Sequence, residues 1–230
     1  MKKLLDLYCC AGGASKGYFD AGFEIVGVDL KPQPNYPYTF IQADALDILR
    51  DKGFISQFSA IHASPPCQGY SHATKDNSVY VPYSQGKQTP KLIADTRSLL
   101  PFGTPYVIEN VAGAKNELIN PFLLSGYMFG LPIERKRYFE SNIFIPVPES
   151  QQKRGYTKKY ALANGIDYRD MSVTGKSRRT GSIDTWRRIM QMHWAGRAWE
   201  LSEAIPPAYT QYIGGFLLDF LNKNNDGNQT

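Results

Sequence analysis

The sequence has little cysteine, three residues in 230, and two of these are adjacent at Cys9-Cys10. That cannot build a disulfide framework and lacks zinc-site spacing, so a metal-free protein of a reducing compartment is expected. Long apolar runs are also missing, none approaching the roughly 20 residues of a membrane span. The opening Met1-Lys2-Lys3-Leu4-Leu5 has the basic-then-apolar order of a signal peptide, but Asp6 and then Gly12-Gly13 interrupt it too early, which points to the cytoplasm. Internal repeats are absent. What is present is ordinary for a globular protein: 42% hydrophobic and 20% charged residues, enough chain for one substantial core with a small appended module.

The net charge of +5 is unevenly placed. Gln151 to Glu200 holds eleven Lys or Arg against four Asp or Glu, a local +7, and the remainder of the chain sums to −2. A basic patch of this kind is the footprint expected of a nucleic-acid contact, with a merely solvated face as the alternative.

Lys3 to Tyr8 is a short apolar run leading into the turn Cys9-Cys10-Ala11-Gly12-Gly13, a helix through Tyr18 to Ala21 and the stop at Gly22. Glycines there let the backbone approach a ligand, and the helix start offers free N–H groups. A second strand, Glu24 to Val28, ends in Asp29, where nucleotide-type α/β folds grip ribose hydroxyls. Thr39 to Gln42 reads as a third strand ending at Ala43-Asp44; Asp44 fits either an adenine-edge contact or the N-cap of a helix through Leu46 to Leu49.

The most telling stretch is Ile61-His62-Ala63-Ser64-Pro65-Pro66-Cys67-Gln68-Gly69-Tyr70-Ser71. A buried strand from Phe58 must turn out at the paired prolines, which places a thiol at a strand's carboxyl end. A lone cysteine is usually core filling, but the stiff entry and the polar residues after it suit a nucleophile. The residues that follow to Lys87 read as a mobile lid. Lys91 to Leu100 reads as helix and Pro105 to Ile108 as a strand delivering Glu109 to the same sheet edge; unpartnered, such a carboxylate is costly to bury, so it faces solvent or serves a ligand. Asn120 to Gly130 is ambiguous, and Arg135 to Ile145 reads as a strand whose entry presents two arginines. Pro146 to about Ser182 is basic and poorly periodic, Ile183 to Met192 is helical, and a helix from Ala208 to Leu221 precedes a polar tail.

Asp6-Leu7-Tyr8 with Gly12-Gly13, Asp29, Asp44, Pro66-Cys67-Gln68, Glu109-Asn110-Val111 and Arg135-x-Arg137 together closely resemble the cytosine carbon-5 DNA methyltransferase family, most nearly its short phage-type members. The likeness covers Leu4 to Ile145 and resumes from about Trp186 to Phe220. It implies an α/β, Rossmann-like S-adenosylmethionine-dependent fold in residues 1–145 plus 186–222, a small basic target-recognition module at 146–185 and a disordered tail at 223–230.

By the same resemblance Cys67 adds to cytosine carbon 6, Glu109 holds the ring nitrogen and amine, Arg137 supports the base oxygen and Arg135 the surroundings of the covalent intermediate. Tyr8, Ala11, Gly12 and Gly13 would hold the methionine part of the cofactor, Asp29 with Leu30 the ribose, Asp44 with Ala45 the adenine, and Pro65 would line the pocket. Gln68, Ser71, Lys153, Arg154, Lys158, Lys159, Arg178 and Arg179 would contact double-stranded DNA. S-adenosylhomocysteine would be the product, and the protein a monomer of the bacterial cytoplasm.

Three departures stand out: Cys10 replaces the turn's first glycine, Ile133 replaces a Gln, and Ser202-Glu203 replaces a Gly-Asn pair. The recognition region is also short, which implies a short or relaxed target sequence because each base contact supplies only about 1 to 3 kcal/mol of discrimination. RNA, single-stranded DNA or a free cytosine nucleotide are rival substrates, and a non-catalytic nucleic-acid binder is a rival of another class. A dinucleotide oxidoreductase would share the glycine turn and Asp29 but gives Cys67, Glu109 and Arg137 no reason to converge.

Overall fold

In the computed structural model of the chain, residues 1–70, 90–173 and 182–226 are described. Ser71, Arg178, Arg179, most of the expected lid and the tail beyond 226 lie outside the described residues. The first strand, β1 (Lys3–Leu7), is buried beyond its first residue. Side chains alternate along it: Leu4 packs with Tyr18, Phe23 and Val107 on one face, Leu5 and Leu7 with Val28, Leu49 and Ile61 on the other. Both faces are covered, so the strand reads as a continuous apolar run.

The chain continues through α1 (Gly13–Ala21), β2 (Glu24–Asp29), β3 (Thr39–Gln42), α2 (Ala45–Arg50) and α3 (Lys52–Ile55). It returns through β4 (Ala60–Ala63), α4 (Ile93–Leu99), β5 (Tyr106–Asn110), β6 (Phe122–Leu124) and β7 (Arg137–Ser141). Four helices complete it: α5 (Tyr156–Ala163), α6 (Ile183–Met190), α7 (Ala198–Glu203) and α8 (Pro207–Asp226).

The strands form one sheet in the order β3-β2-β1-β4-β5-β7-β6. The first five run parallel, and β7 is antiparallel to both β5 and β6. Strand order reverses between β1 and β4, and the crevice outside their carboxyl ends is where such sheets bind ligands. Helix α8 closes over α1 at very short range: a Cβ added to Gly17 would stand 2.1 Å from the Pro207 carbonyl oxygen.

Several boundaries differ from the sequence reading. The expected strand from Arg135 to Ile145 is regular only over Arg137–Ser141, because Arg135 takes a left-handed φ of 30° that no ladder accommodates. Asn120 to Gly130 resolves into β6 and a 3-10 turn, Gly126–Phe129. The basic region is more ordered than its composition suggested, with α5 and a 3-10 turn at Tyr168–Met171. Its Ala161, Met171 and Val173 share one apolar cluster with Trp186 and Tyr209, so its apolar side chains extend the main core. Helix α8 runs to Asp226, past its expected end near Leu221 and into the expected tail, since neither Gly nor Pro interrupts Asn222 to Asp226. Among the described residues no helix is long and apolar enough to cross a membrane.

One face of the sheet carries polar residues above its apolar layer. Asp6 on β1 is fully buried; its Oδ2 accepts from Ser15 Oγ, while its Oδ1 has no hydrogen-bond partner. Burial raises its pKa to about 7, opposed by the Ser15 hydrogen bond and reinforced by the charge of Asp29. The folded protein therefore keeps a proton that the unfolded chain loses near pH 4, and stability falls as pH rises from there to about 7. Asp6→Asn should remove that slope. Urea unfolding at pH 5 and pH 8 should show wild type losing roughly 2.5 to 3 kcal/mol more than the variant, and equal losses in both would disprove the assignment.

Candidate functional site

The turn after β1 is built by three left-handed residues, Tyr8 (φ 59°), Cys10 (φ 47°) and Gly12 (φ 82°). At position 10 a glycine would adopt this conformation without strain; the cysteine holds it because its backbone N–H donates to Asp29 Oδ2, 3.0 Å away. The Lys31 N–H donates to Oδ1 of the same carboxylate at 2.9 Å, so Asp29 is pinned by two backbone groups at the end of β2. A carboxylate has about four acceptor positions, which leaves capacity for ligand hydroxyls. Ala11 is buried and its carbonyl accepts from Trp194 Nε1 at 2.7 Å.

Leu30, beside Asp29, presents an apolar side chain that is 66% exposed. Of the two readings open for Asp44, the structure shows the cap: Oδ1 accepts from the Leu46 N–H at 2.8 Å, leaving Oδ2 without a role in the helix. Ala45 behind it is buried.

Pro65 and Pro66 carry the chain out of β4 as expected, and Asn110 fixes the exit by donating from Nδ2 to the Pro65 carbonyl at 2.8 Å. Cys67 and Glu109 thus stand at the carboxyl ends of neighbouring strands. Burial raises the Cys67 pKa, the Glu109 charge adds to that, and the Arg137 charge opposes both. The resting group is a thiol. Burial likewise raises the Glu109 pKa, against the pull of Arg137, the Ser64 hydroxyl and Arg135, in that order.

Arg137 Nε lies 3.0 Å from Glu109 Oε1, yet its N–H does not point along a hydrogen bond, and that oxygen has no donor. The contact is a charge pair without a directional bond. Glu140, on β7, is buried to a similar degree and shows the contrast: it accepts from Arg97 Nε at 2.7 Å, Arg97 Nη2 at 2.6 Å, the Ile119 N–H at 2.8 Å and Tyr106 Oη at 3.0 Å. Glu140 is satisfied by the fold. Glu109 has an oxygen left for something else.

Arg135 departs from the role the resemblance implied. Its guanidinium is directed at backbone carbonyls, with Nε 2.9 Å from Ala204, Nη1 2.9 Å from Val173 and Nη2 2.7 Å from Ser202. Burial lowers its pKa to about 9, with Arg137 adding to the effect. Arg135 is a clamp on the segment that enters α8, and its donors face the fold instead of a substrate.

That clamp presents Glu203, which sequence reasoning noted only as a departure. Its Oε2 lies 3.7 Å from Cys10 Sγ, across 193 positions of sequence. Although part of its surface is open to solvent, loss of water on one side raises its pKa, and Lys31 opposes this. Its charge also acts on Cys67, so it belongs to the same cleft. Ile133, at the position of the missing Gln, is buried in the main core. The sequence pattern gives Glu203, Asn110 and Ser64 no role of their own; only the folded arrangement shows what they touch at the site.

Gln68 lies in an exposed turn after Cys67. Lys153, Arg154, Lys158 and Lys159 are all exposed, the last two on α5. The 3-10 turn at Gly126–Phe129 anchors their segment through Tyr127 Oη to Thr157 Oγ1 at 2.7 Å. Among the described residues no group of three His, Cys, Asp or Glu could hold a metal ion.

The Type II methyltransferase M.FnuDI of Fusobacterium nucleatum is 26% identical over 216 residues, covering 79% of this chain and 60% of that protein. M.AgeI of Thalassovita gelatinovora, also a Type II methyltransferase, is 26% identical over 164 residues, covering 60% of this chain and 38% of its own length. The chain thus spans less than two thirds of either relative. Among solved structures, the Dnmt2 methyltransferase of S. pombe superposes with a TM-score of 0.58 at 16% identity, over 96% of this chain and 100% of that one. A DNA modification methyltransferase encoded within an E. coli prophage gives 0.56 at 14% identity, over 96% and 100%. At such identities the likeness establishes the fold. The C-5 cytosine-specific DNA methylase family model matches residues 2–143, the stretch that supplies the glycine turn, Cys67, Glu109 and Arg137. With this match added to the geometry of those residues, the chain belongs to the C-5 cytosine-specific DNA methylase family.

Proposed function

We propose that this chain transfers a methyl group from S-adenosylmethionine to carbon 5 of cytosine in DNA, through a transient bond between Cys67 and carbon 6 of an extruded base. The observation that carries the reading is the pairing of Cys67 with a buried, under-partnered Glu109 on adjacent strand ends, with the Cys9–Gly13 turn at the neighbouring strand.

The chemistry follows from the acid–base state of the two groups. As the base enters, the Cys67 proton passes to solvent and the sulfur bonds to carbon 6; the carbon 5–carbon 6 double bond shifts to carbon 4–carbon 5, and the pair displaced onto the ring nitrogen takes the Glu109 proton. The Glu109 oxygen without a donor is suited to accept from the exocyclic amine, and Arg137 stabilises the charge left behind and faces the base oxygen. Bound S-adenosylmethionine supplies the electrophilic methyl group. The carbon 5 proton then leaves to solvent, its electron pair restores the carbon 5–carbon 6 double bond and expels the thiolate, the ring nitrogen returns its proton to Glu109, and the thiolate recovers one from solvent. The ring must be reached from both sides, so the nucleotide leaves the duplex at a cost of a few kcal/mol.

The residues present fit the cofactor. The turn through Tyr8, Ala11, Gly12 and Gly13 would cradle the methionine part, Asp29 would accept from ribose hydroxyls, exposed Leu30 and the free Asp44 oxygen would meet adenine, and Ala45 and Pro65 would line the pocket. Glu203 would face the amino-acid end. Gln68 and Ser71 would follow the base into the gap it leaves, and Lys153, Arg154, Lys158, Lys159, Arg178 and Arg179 would hold phosphates. A recognition segment confined to 146–185 leaves room for few base contacts, which supports a short or relaxed target on double-stranded DNA.

Wild-type protein should form a covalent adduct with 5-fluorocytosine DNA, seen by mass spectrometry, while Cys67→Ala forms none and Glu109→Gln forms it about 10² to 10⁴ times more slowly. Labelled transfer to duplex DNA that does not exceed transfer to single strands, RNA or free nucleotide would shift the substrate assignment. Neutralising Lys153 with Arg154, or Lys158 with Lys159, should each lower the slope of log affinity against log salt by about 2; an unchanged slope would remove them from the phosphate surface. Bisulfite sequencing of treated DNA should show methylation at a site of about two to four base pairs or less defined, and one fixed six-base-pair site would refute relaxed recognition.

A further inference from the structure

A buried histidine lies beneath the candidate site, in a place the proposed chemistry does not require. His62 on β4 is fully buried, and burial lowers its pKa to about 3, so the ring is neutral at working pH. Its Nδ1 lies 3.0 Å from Tyr18 Oη on α1, itself fully buried, and its Nε2 lies 2.9 Å from Ser64 Oγ. Ser64 follows β4 directly. The register pairs Ala63 with Ile108, so Ser64 stands beside Glu109, and its hydroxyl comes close enough to the Glu109 carboxyl to pull its pKa down. A single file of polar groups therefore runs from the helix covering the sheet to the candidate acid.

Once Glu109 has given up its proton, counting protons fixes the direction of the file. A Ser hydroxyl has one hydrogen, and an ionised carboxylate can only accept, so Ser64 donates to Glu109. The contact with His62 must then be a donation from Nε2–H to Ser64. A neutral ring with its hydrogen on Nε2 has a bare Nδ1, which accepts from the Tyr18 hydroxyl. Each group in the file then has a partner, and with Glu109 ionised no other arrangement satisfies all of them.

We propose that Tyr18, His62 and Ser64 are positioning residues for Glu109, a file of polar groups that ends in a hydroxyl donor for its carboxyl and fixes its orientation. The inference rests on the functional reading above, in which Glu109 acts on the base. Other charged or titratable groups also act on that carboxyl or feel its charge: Arg137 and Arg135 from the entry to β7, Cys67 after β4, Asp6 on β1, and Tyr209 on α8. Arg137 supplies charge but no directed hydrogen bond, and Ser64, tied to His62, is a neighbouring hydroxyl that can turn toward the carboxyl. Asp6 titrates near pH 7 and stays unchanged in every variant compared.

The test combines the pH dependence of methyl transfer with binding of S-adenosylmethionine by calorimetry. Ser64→Ala and His62→Leu should slow transfer about tenfold to a hundredfold and move the limb belonging to Glu109 to higher pH, because the hydrogen bond that favours its carboxylate is gone. Ser64→Thr and His62→Gln, which retain a donor, should restore most of the rate. Cofactor binding should stay within about twofold throughout, since these residues lie outside the turn. An unshifted limb and wild-type rate in Ser64→Ala would overturn the proposal.

Should the variants lose cofactor binding with their fold, the ¹⁵N spectrum of the unaltered protein decides, above the pH at which Glu109 ionises. The Nε2–H tautomer of His62 supports the file, and the Nδ1–H tautomer overturns it. Failure of the functional reading is separately visible, as a Glu109→Gln variant that traps 5-fluorocytosine DNA as fast as wild type.

Discussion

Removing the Glu109 carboxyl from water, beside a single arginine that does not hydrogen-bond to it, is the constraint from which the proposed chemistry follows. An isolated buried carboxylate is expensive, and in practice its pKa rises until it keeps its proton. The same desolvation acts on Cys67, whose thiol also resists ionisation. Burial thus raises the pKa of both groups on neighbouring strand ends, and a charge on Glu109 further opposes ionisation of Cys67. A substrate that accepts a proton from one and a bond from the other relieves both at once, which gives the pair a reason to exist.

The scaffold makes this arrangement possible by being rigid where the site is not satisfied. Parallel strands β1, β4 and β5 end at one level, and the Pro-Pro exit tied to Asn110 holds the cysteine loop on that edge. Glu140, two residues from the arginine strand's Tyr138, shows what the same sheet does with a carboxylate that needs no freedom: four donors close around it. Arg135 plays a comparable structural part by binding the carbonyls before α8. That clamp links the last segment of the chain to the turn after β1, because Glu203 lies between its contacts and reaches Cys10.

Cys10 and Glu203 are therefore connected departures. The cysteine adopts the left-handed backbone that a glycine would take freely, and its side chain meets a carboxylate that also senses Asp29, Lys31 and Cys67. A substitution at one end of the chain has its counterpart near the other. Ile133 is simpler: an apolar residue where the pattern has a polar one is absorbed into the core.

The sequence alone determined the strand–turn–helix opening, the strand ends carrying Asp29, Cys67 and Glu109, and the family those residues belong to. These are local signals: apolar runs bounded by glycine, proline or a capping carboxylate report backbone conformation within a few residues. Tertiary structure decided what each polar side chain does there. Arg135 and Arg137 are two residues apart in one motif, yet one faces backbone carbonyls and the other the candidate acid, because a left-handed residue at the strand entry turns them apart. Asp44 fits two roles by its place in the sequence, and the fold uses one of its oxygens as the N-cap of α2. Glu203 and the Tyr18, His62 and Ser64 file depend on contacts between segments distant in sequence, and no local pattern encodes which of many buried polar groups will meet. Partnership in a core is a property of the packed fold, and it separates a carboxylate that serves the structure from one left free to react.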